Sequence, residues 1–144
     1  RLEEAVSEEI ANHRQTKGKY IPGFGHRFHK PEDPRAPRLM KLVSDAEGDK
    51  IVSGNFMRIG LEIQRQLSLG KSTGIAMNID GATAVIFGEL GFAPPLARGL
   101  FCLSRSVGIL AHAWEQKNQG GRNKGPTPPE FLWNYSGKNP LEEG

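Results

Sequence analysis

Between Pro22 and Arg35 the chain carries His26, Arg27, His29, Lys30 and Arg35, with Arg38 just beyond and only Glu32 and Asp33 opposing them. Pro22, Pro31 and Pro34 remove amide donors and fix φ, while Gly23 and Gly25 admit backbone angles that other residues avoid. Such a segment makes a poor helix and a good ordered loop. Its imidazoles and cations suit an anion. A solvated basic loop is the competing reading, since charge runs usually mark solvated faces. A second candidate is Asp80, where a helix of small and apolar residues begins after Met77-Asn78-Ile79. As an N-cap its carboxylate accepts backbone N–H groups; as a carboxylate at a helix start beside a cleft it is placed as a general base. A third is Arg105, between Ser104 and Ser106 in an apolar run. Burial there requires an anionic partner, either the protein's own carboxylate or a ligand's.

Other reactive side chains read more plainly. His26, His29 and Asp33 lie in a Pro-rich loop rather than on a helix face and lack a further ligand, so no metal is expected. Cys102 has no histidine or cation adjacent in sequence to activate it and reads as core filler. His112, near Trp114, reads as a packed or hydrogen-bonded core histidine.

The elements that must position these groups follow from periodicity. Residues 2–14 place Leu2, Val6, Ile10 and His13 on one helix face, ending near Gly18. Residues 36–46 resume the period through Leu39, Leu42, Val43 and Ala46, with Pro37 in the first turn. A third helix runs from Gly54 to Leu69 through Phe56, Ile59, Ile63 and Leu67, stopped by Gly70. The Asp80 helix follows. Leu96, Leu100, Leu103, Val107, Leu110 and Trp114 then mark the longest helix, which reads as the best core element. A Gly/Pro/basic loop containing Arg122 and an aromatic cluster of Phe131, Trp133 and Tyr135 close the chain. Strand signals are almost absent, so the fold class is all-α.

Composition sets outer bounds. The chain has 144 residues, a net charge of +3 and 37% hydrophobic content, a little low for a self-contained globule. Its aromatics are not interleaved with basic residues as a base-stacking platform needs, so nucleic acid is not an expected partner. The single cysteine forms no internal disulfide and favours a reducing, cytoplasmic setting. Arg98 and Arg105 interrupt the most apolar stretch, so no membrane span is expected. The opening Arg-Leu-Glu-Glu reads as a helix interior, as in a fragment of a longer protein.

Three motifs carry a family resemblance. Pro22-Gly-Phe-Gly-His26-Arg followed by Lys30-Pro-Glu-Asp-Pro-Arg35 resembles the signature loop of the citrate synthase superfamily. Asn78-Ile-Asp80-Gly81 resembles its second motif, and Ser104-Arg105-Ser-Val-Gly-Ile-Leu-Ala-His112-Ala-Trp-Glu-Gln116 its third. They occur in family order over residues 18–116, and the wording is most similar to the citryl-CoA lyase-like branch.

The resemblance implies a helical small domain over residues 1–91 and, over 92–144, the C-terminal helix and tail of the large domain. It implies that His26 hydrogen-bonds the oxaloacetate carbonyl and that Asp80 is the base for the acetyl-CoA methyl. Arg35 and Arg105 would grip the carboxylates of the four-carbon acid. Pro22, Gly23, Phe24 and Gly25 would line the CoA site, with Lys30 near its phosphates. The family's C-terminal Arg-Pro is replaced here by Gly125-Pro126, with Arg122 or Lys124 as the substitute carboxylate ligand. A further family histidine, upstream of these motifs, is not matched by His13. The implied partners are acetyl-CoA with oxaloacetate, or citryl-CoA, in a homodimeric parent. CoA thioester is substrate, and no tightly bound cofactor is expected. This stretch alone is expected to be inactive. Condensation of the 2-methylcitrate type and a non-catalytic CoA-binding module remain alternatives.

Overall fold

A computed structural model describes residues 1–29 and 31–120. Five helices make up its regular structure: α1 Leu2–Thr16, α2 Arg35–Gly48, α3 Asn55–Ser68, α4 Ile79–Glu89 and α5 Pro94–Asn118. Among the described residues the only extended pairing is one antiparallel bridge, Phe24 with Met77. The all-α expectation holds, and the helices fall where the apolar period placed them.

Residues Arg1–Leu103 form one compact unit and residues from Ser104 a second, the boundary falling within α5. In the first unit α4 packs on α2 and α3, and α1 packs on α3. Val43 of α2 meets Met77, Ala82 and Val85 of the α4 region in one buried cluster. Val6 and Ile10, one turn apart on α1, meet Leu67 of α3 in another, with Phe24 of the loop packed against both. Burial of each aliphatic side chain contributes about 1.5–3 kcal/mol, so the loop is held between two cores.

The N-terminus of α3 is capped from elsewhere. Gly54 stands at its N-cap with φ 71° and offers no side chain. Glu89, the last residue of α4, takes over. Its carboxylate accepts from Ser53 Oγ (3.0 Å) and from the amides of Gly54 (3.0 Å), Phe56 (2.7 Å) and Met57 (3.2 Å). Partial burial pushes this carboxyl upward, but the Ser53 hydroxyl and three amides outweigh it and hold the group below its ordinary value. One side chain thereby fixes the end of α4 to the start of α3.

The long helix differs from its expected role. α5 buries none of its residues among those described. Leu103, Val107, Leu110 and Trp114 are all more than 60% exposed. Cys102 and His112 are likewise exposed rather than packed in a core. An apolar row identifies a face that favours burial; it does not supply the element that would bury it. No helix among the described residues is long and apolar enough to cross a membrane.

Candidate functional site

The loop from Pro22 to His26 is joined to the start of α4 by backbone pairing and one side chain. The amide of Gly25 donates to the carbonyl of Ala76 (2.7 Å), and the amide of Asn78 donates to that of Gly23 (2.9 Å). Asn78 then works in both directions. Its Nδ2 donates to the Gly25 carbonyl (2.7 Å), while its Oδ1 accepts from the amides of Asp80 (2.9 Å) and Gly81 (3.2 Å). Asn78 is thus the N-cap of α4. The capping reading of Asp80 is corrected: Asp80 lies in the first turn, where its amide donates to Asn78 and its carbonyl accepts from Thr83 Oγ1 (3.0 Å). Among the described residues its carboxylate accepts no hydrogen bond, and it is exposed. A helix N-terminus favours a negative charge at this place.

Glycine is required at the joint. Gly23 has φ 87°, and a Cβ there would lie 2.8 Å from the Gly81 Cα. A Cβ on Gly81 would overlap the Gly23 carbonyl oxygen and lie 2.8 Å from Met77 Cγ. Two side-chain-free positions let the loop backbone touch the helix.

His26 follows directly, half-buried. The amides of Phe28 (3.1 Å) and His29 (3.0 Å) both donate to its Nδ1. A nitrogen that accepts has no proton, so the neutral ring carries its proton on Nε2. His26 therefore presents a single outward N–H. The His29 ring lies beside it, centroids 4.5 Å apart.

Arg35 opens α2 next to Asp33. The Asp33 carboxylate is 1% exposed. Its Oδ1 accepts from Arg35 Nε (2.9 Å) and the Arg35 amide (3.1 Å). Its Oδ2 accepts from Arg35 Nη2 (2.9 Å) and the amide of Ile79 (3.0 Å). The Arg35 side chain opposes burial's upward push and, with the two amides, holds the Asp33 carboxyl far below the usual range. Asp33 in turn raises the Arg35 guanidinium above its ordinary value, and the negative charge of Asp80 adds to this. Asp80 therefore lies within electrostatic reach of Arg35. In the sequence Asp33 reads only as a countercharge or a poorly supported metal ligand; the Asp-Pro-Arg spacing is the local signal of its pairing with Arg35.

A cleft of about 250 Å³ lies beside the loop, lined by Gly25, His26, His29, Asp33, Lys71 and Asn78 among others. Lys71 was not among the expected site residues. Asp80 does not line this cleft. Among the described residues no three His, Cys, Asp or Glu side chains are grouped to hold a metal ion. The Asp33 carboxylate already receives four donors.

The structure thus places His26, Asp80, Arg35 and Pro22–Gly25 in the first unit, with Asn78 linking the carbonyl of Gly25 to the amide of Asp80. Arg105 belongs to the second unit and is exposed, not buried as expected. Lys30, Arg122 and Lys124 lie outside the described residues, as does the aromatic cluster near the chain's end. His13 makes a local contact, its Nε2 lying 3.1 Å from the Tyr20 carbonyl.

Comparison with known proteins bears on this geometry. The family description "Citrate synthase, C-terminal domain" matches residues 1–126. A citrate synthase of Acidithiobacillus ferridurans is 36% identical over 110 residues, covering 74% of this chain and 28% of that protein. The structure of citryl-CoA lyase from Hydrogenobacter thermophilus superposes with a TM-score of 0.60 at 31% identity, over 96% of this chain and 55% of that one. Citrate synthase from Pyrobaculum aerophilum shares the fold at 23% identity, TM-score 0.63, over 99% of this chain and 35% of that one. The chain therefore spans between roughly a quarter and just over half of these relatives.

Proposed function

The chain belongs to the citrate synthase family, and from that premise we propose that it contributes the C-terminal part of an enzyme joining or separating acetyl-CoA and oxaloacetate. Asp80 is the base that takes a proton from the thioester methyl. His26 donates from Nε2 to the oxaloacetate carbonyl. That oxygen becomes an alkoxide as the C–C bond forms, and a preorganised donor strengthens its hold as charge develops. Arg35 holds a carboxylate of the four-carbon acid, with Arg105 and Arg122 as further ligands. Guanidinium suits a planar carboxylate better than ammonium does. Pro22–Gly25 and Lys30 serve the CoA moiety, with the adjoining cleft at Lys71 open to it. In the cleavage direction the citryl alkoxide collapses, the same bond breaks, and protonated Asp80 returns its proton to the acetyl-CoA enolate.

One observation carries this reading: the ordering groups are separate from the reacting ones. Phe28 and His29 occupy the far nitrogen of His26, and Asn78 does the capping, so the Nε2–H and the Asp80 carboxylate stay available for chemistry. Likeness to the citryl-CoA lyase supports cleavage; likeness to the citrate synthase supports condensation. Residues 1–91 serve as the small domain and residues 92–144 as part of the large one, in a cytoplasmic homodimer. Because the family's additional histidine is unmatched here, the chain by itself gives no turnover.

The test joins this chain to the N-terminal portion of the Acidithiobacillus relative and follows both thiol release and citryl-CoA cleavage. Asp80→Asn should lower turnover at least about 100-fold, the usual share of a general base, while oxaloacetate binding persists. Unchanged turnover in that variant sinks the assignment. A non-catalytic CoA-binding module would show no turnover in the parent chimera.

A further inference from the structure

We infer that Asp33 is a positioning residue that locks Arg35 to the first amide of α4, keeping the ligand-binding edge of Arg35 and the Asp80 carboxylate at one separation. The inference rests on the reading of Arg35 as a ligand for an oxaloacetate carboxylate. Its physical content is in the atoms. A guanidinium has five N–H donors. The side edge, Nε and Nη2, is spent on the two oxygens of Asp33, both at 2.9 Å. The end edge remains: both Nη1 hydrogens and the second Nη2 hydrogen, paired to no described residue. That edge is still a two-pronged fork able to take a carboxylate.

The pair is dry at one end and wet at the other. The Asp33 side chain is fully buried, whereas that of Arg35 is 48% exposed. Holding the inner edge therefore aims the outer edge at solvent, where a ligand arrives. One oxygen makes the connection to catalysis. Asp33 Oδ2 accepts from Arg35 Nη2 and from the amide of Ile79, 46 residues away and adjacent to Asp80. Arg35 cannot swing outward without uncovering an acceptor that α4 also uses. A surface arginine lacking this anchor would lose more side-chain entropy on gripping a ligand.

The 144-residue chain is titrated with oxaloacetate, and binding is measured for the parent, Asp33→Asn, Arg35→Ala and the double variant. Asn has one acceptor oxygen where Asp has two, and its amide hydrogens face donors. Asp33→Asn should weaken binding about tenfold, the scale of one charge-assisted hydrogen bond. The double variant should bind no worse than Arg35→Ala, because Asp33 acts through Arg35. Unchanged affinity in Asp33→Asn, or losses that multiply in the double variant, overturns the inference and leaves Arg35's ligand role standing. If the parent does not bind oxaloacetate, this chain alone does not complete the ligand site, and NMR decides the positioning. Slow hydrogen exchange at Arg35 Nε–H, lost in Asp33→Asn together with a shift of the Ile79 amide, supports it. Rapid exchange in the parent overturns it. Should Asp33→Asn not fold, parent exchange and the Ile79 amide in Arg35→Ala, which retains Asp33, decide in its place.

Discussion

Replacing Gly81 with alanine tests whether the loop really rests on α4. In an open helix this substitution stabilises by about 1 kcal/mol, because alanine loses less backbone entropy than glycine. Here the added methyl would overlap the Gly23 carbonyl oxygen, with the Gly23 carbonyl carbon at 3.1 Å and Met77 Cγ at 2.8 Å. Met77 can rotate; a backbone carbonyl paired to the Asn78 amide at 2.9 Å cannot move alone. Overpacking costs about 1–3 kcal/mol, and pulling Gly23 away loses a further ~1 kcal/mol of hydrogen bonding. Set against the helix gain, the net is a destabilisation of about 2 kcal/mol. For a unit of this size that lowers the melting midpoint by roughly 10 °C. Thermal and urea unfolding followed by far-UV circular dichroism measure it. Gly99→Ala is the matched control, since nothing lies within 4 Å of a Cβ there; it should hold the midpoint or raise it. If Gly81→Ala proves as stable as the parent, the loop is not seated on the helix and His26 is not tied to Asp80 in the way described.

Two further outcomes follow from the carboxylates. Glu89→Ala removes the cap of α3 from a distance and should cost about 2 kcal/mol, read as a lower urea midpoint; no change would mean that water or the helix itself satisfies those amides. Asp33 and Glu89 have folded-state values below their ordinary ones, as does Glu62, held at about 2 by Arg65 and Gln66. A depressed carboxylate contributes stability above its unfolded value, near 4, and loses it as pH falls through the folded value. Stability should therefore be flat above about pH 5 and fall steeply below about pH 4, with a shallower fall in Asp33→Asn. An equally steep acid limb in that variant contradicts the assignment.

The helices were legible because each carries its apolar residues at helical spacing between glycine or proline stops. The loop was legible because its residue types exclude regular structure, and three ordered motifs named the family. The failures share a cause: they concern partners distant in sequence. Asp33 stands two residues from Arg35, and that ion pair was within reach of inspection. Its bond to Ile79 was not. Glu89 read as the end of one helix, and nothing local marks it as the cap of another. The exposure of α5, and with it of Cys102, Arg105 and His112, was misjudged because periodicity reports a face and not its neighbour.

The choice between Asn78 and Asp80 as the cap shows how chemistry resolves what spacing leaves open. Both are good acceptors at a helix start. The joint to the loop, however, demands a donor as well, because the Gly25 carbonyl must be satisfied. A carboxylate has no hydrogen to give at neutral pH, whereas the amide of Asn78 donates from one atom and accepts at the other. The residue that can do both takes the structural position. The residue that can only accept is displaced two places into the first turn, where helix geometry leaves its charge exposed. The same logic separates Asp33 from Asp80. A buried carboxylate surrounded by four donors is held too acidic to serve as a base near neutral pH, so under the proposed function the proton-transfer role goes to Asp80, whose carboxylate accepts no hydrogen bond among the described residues.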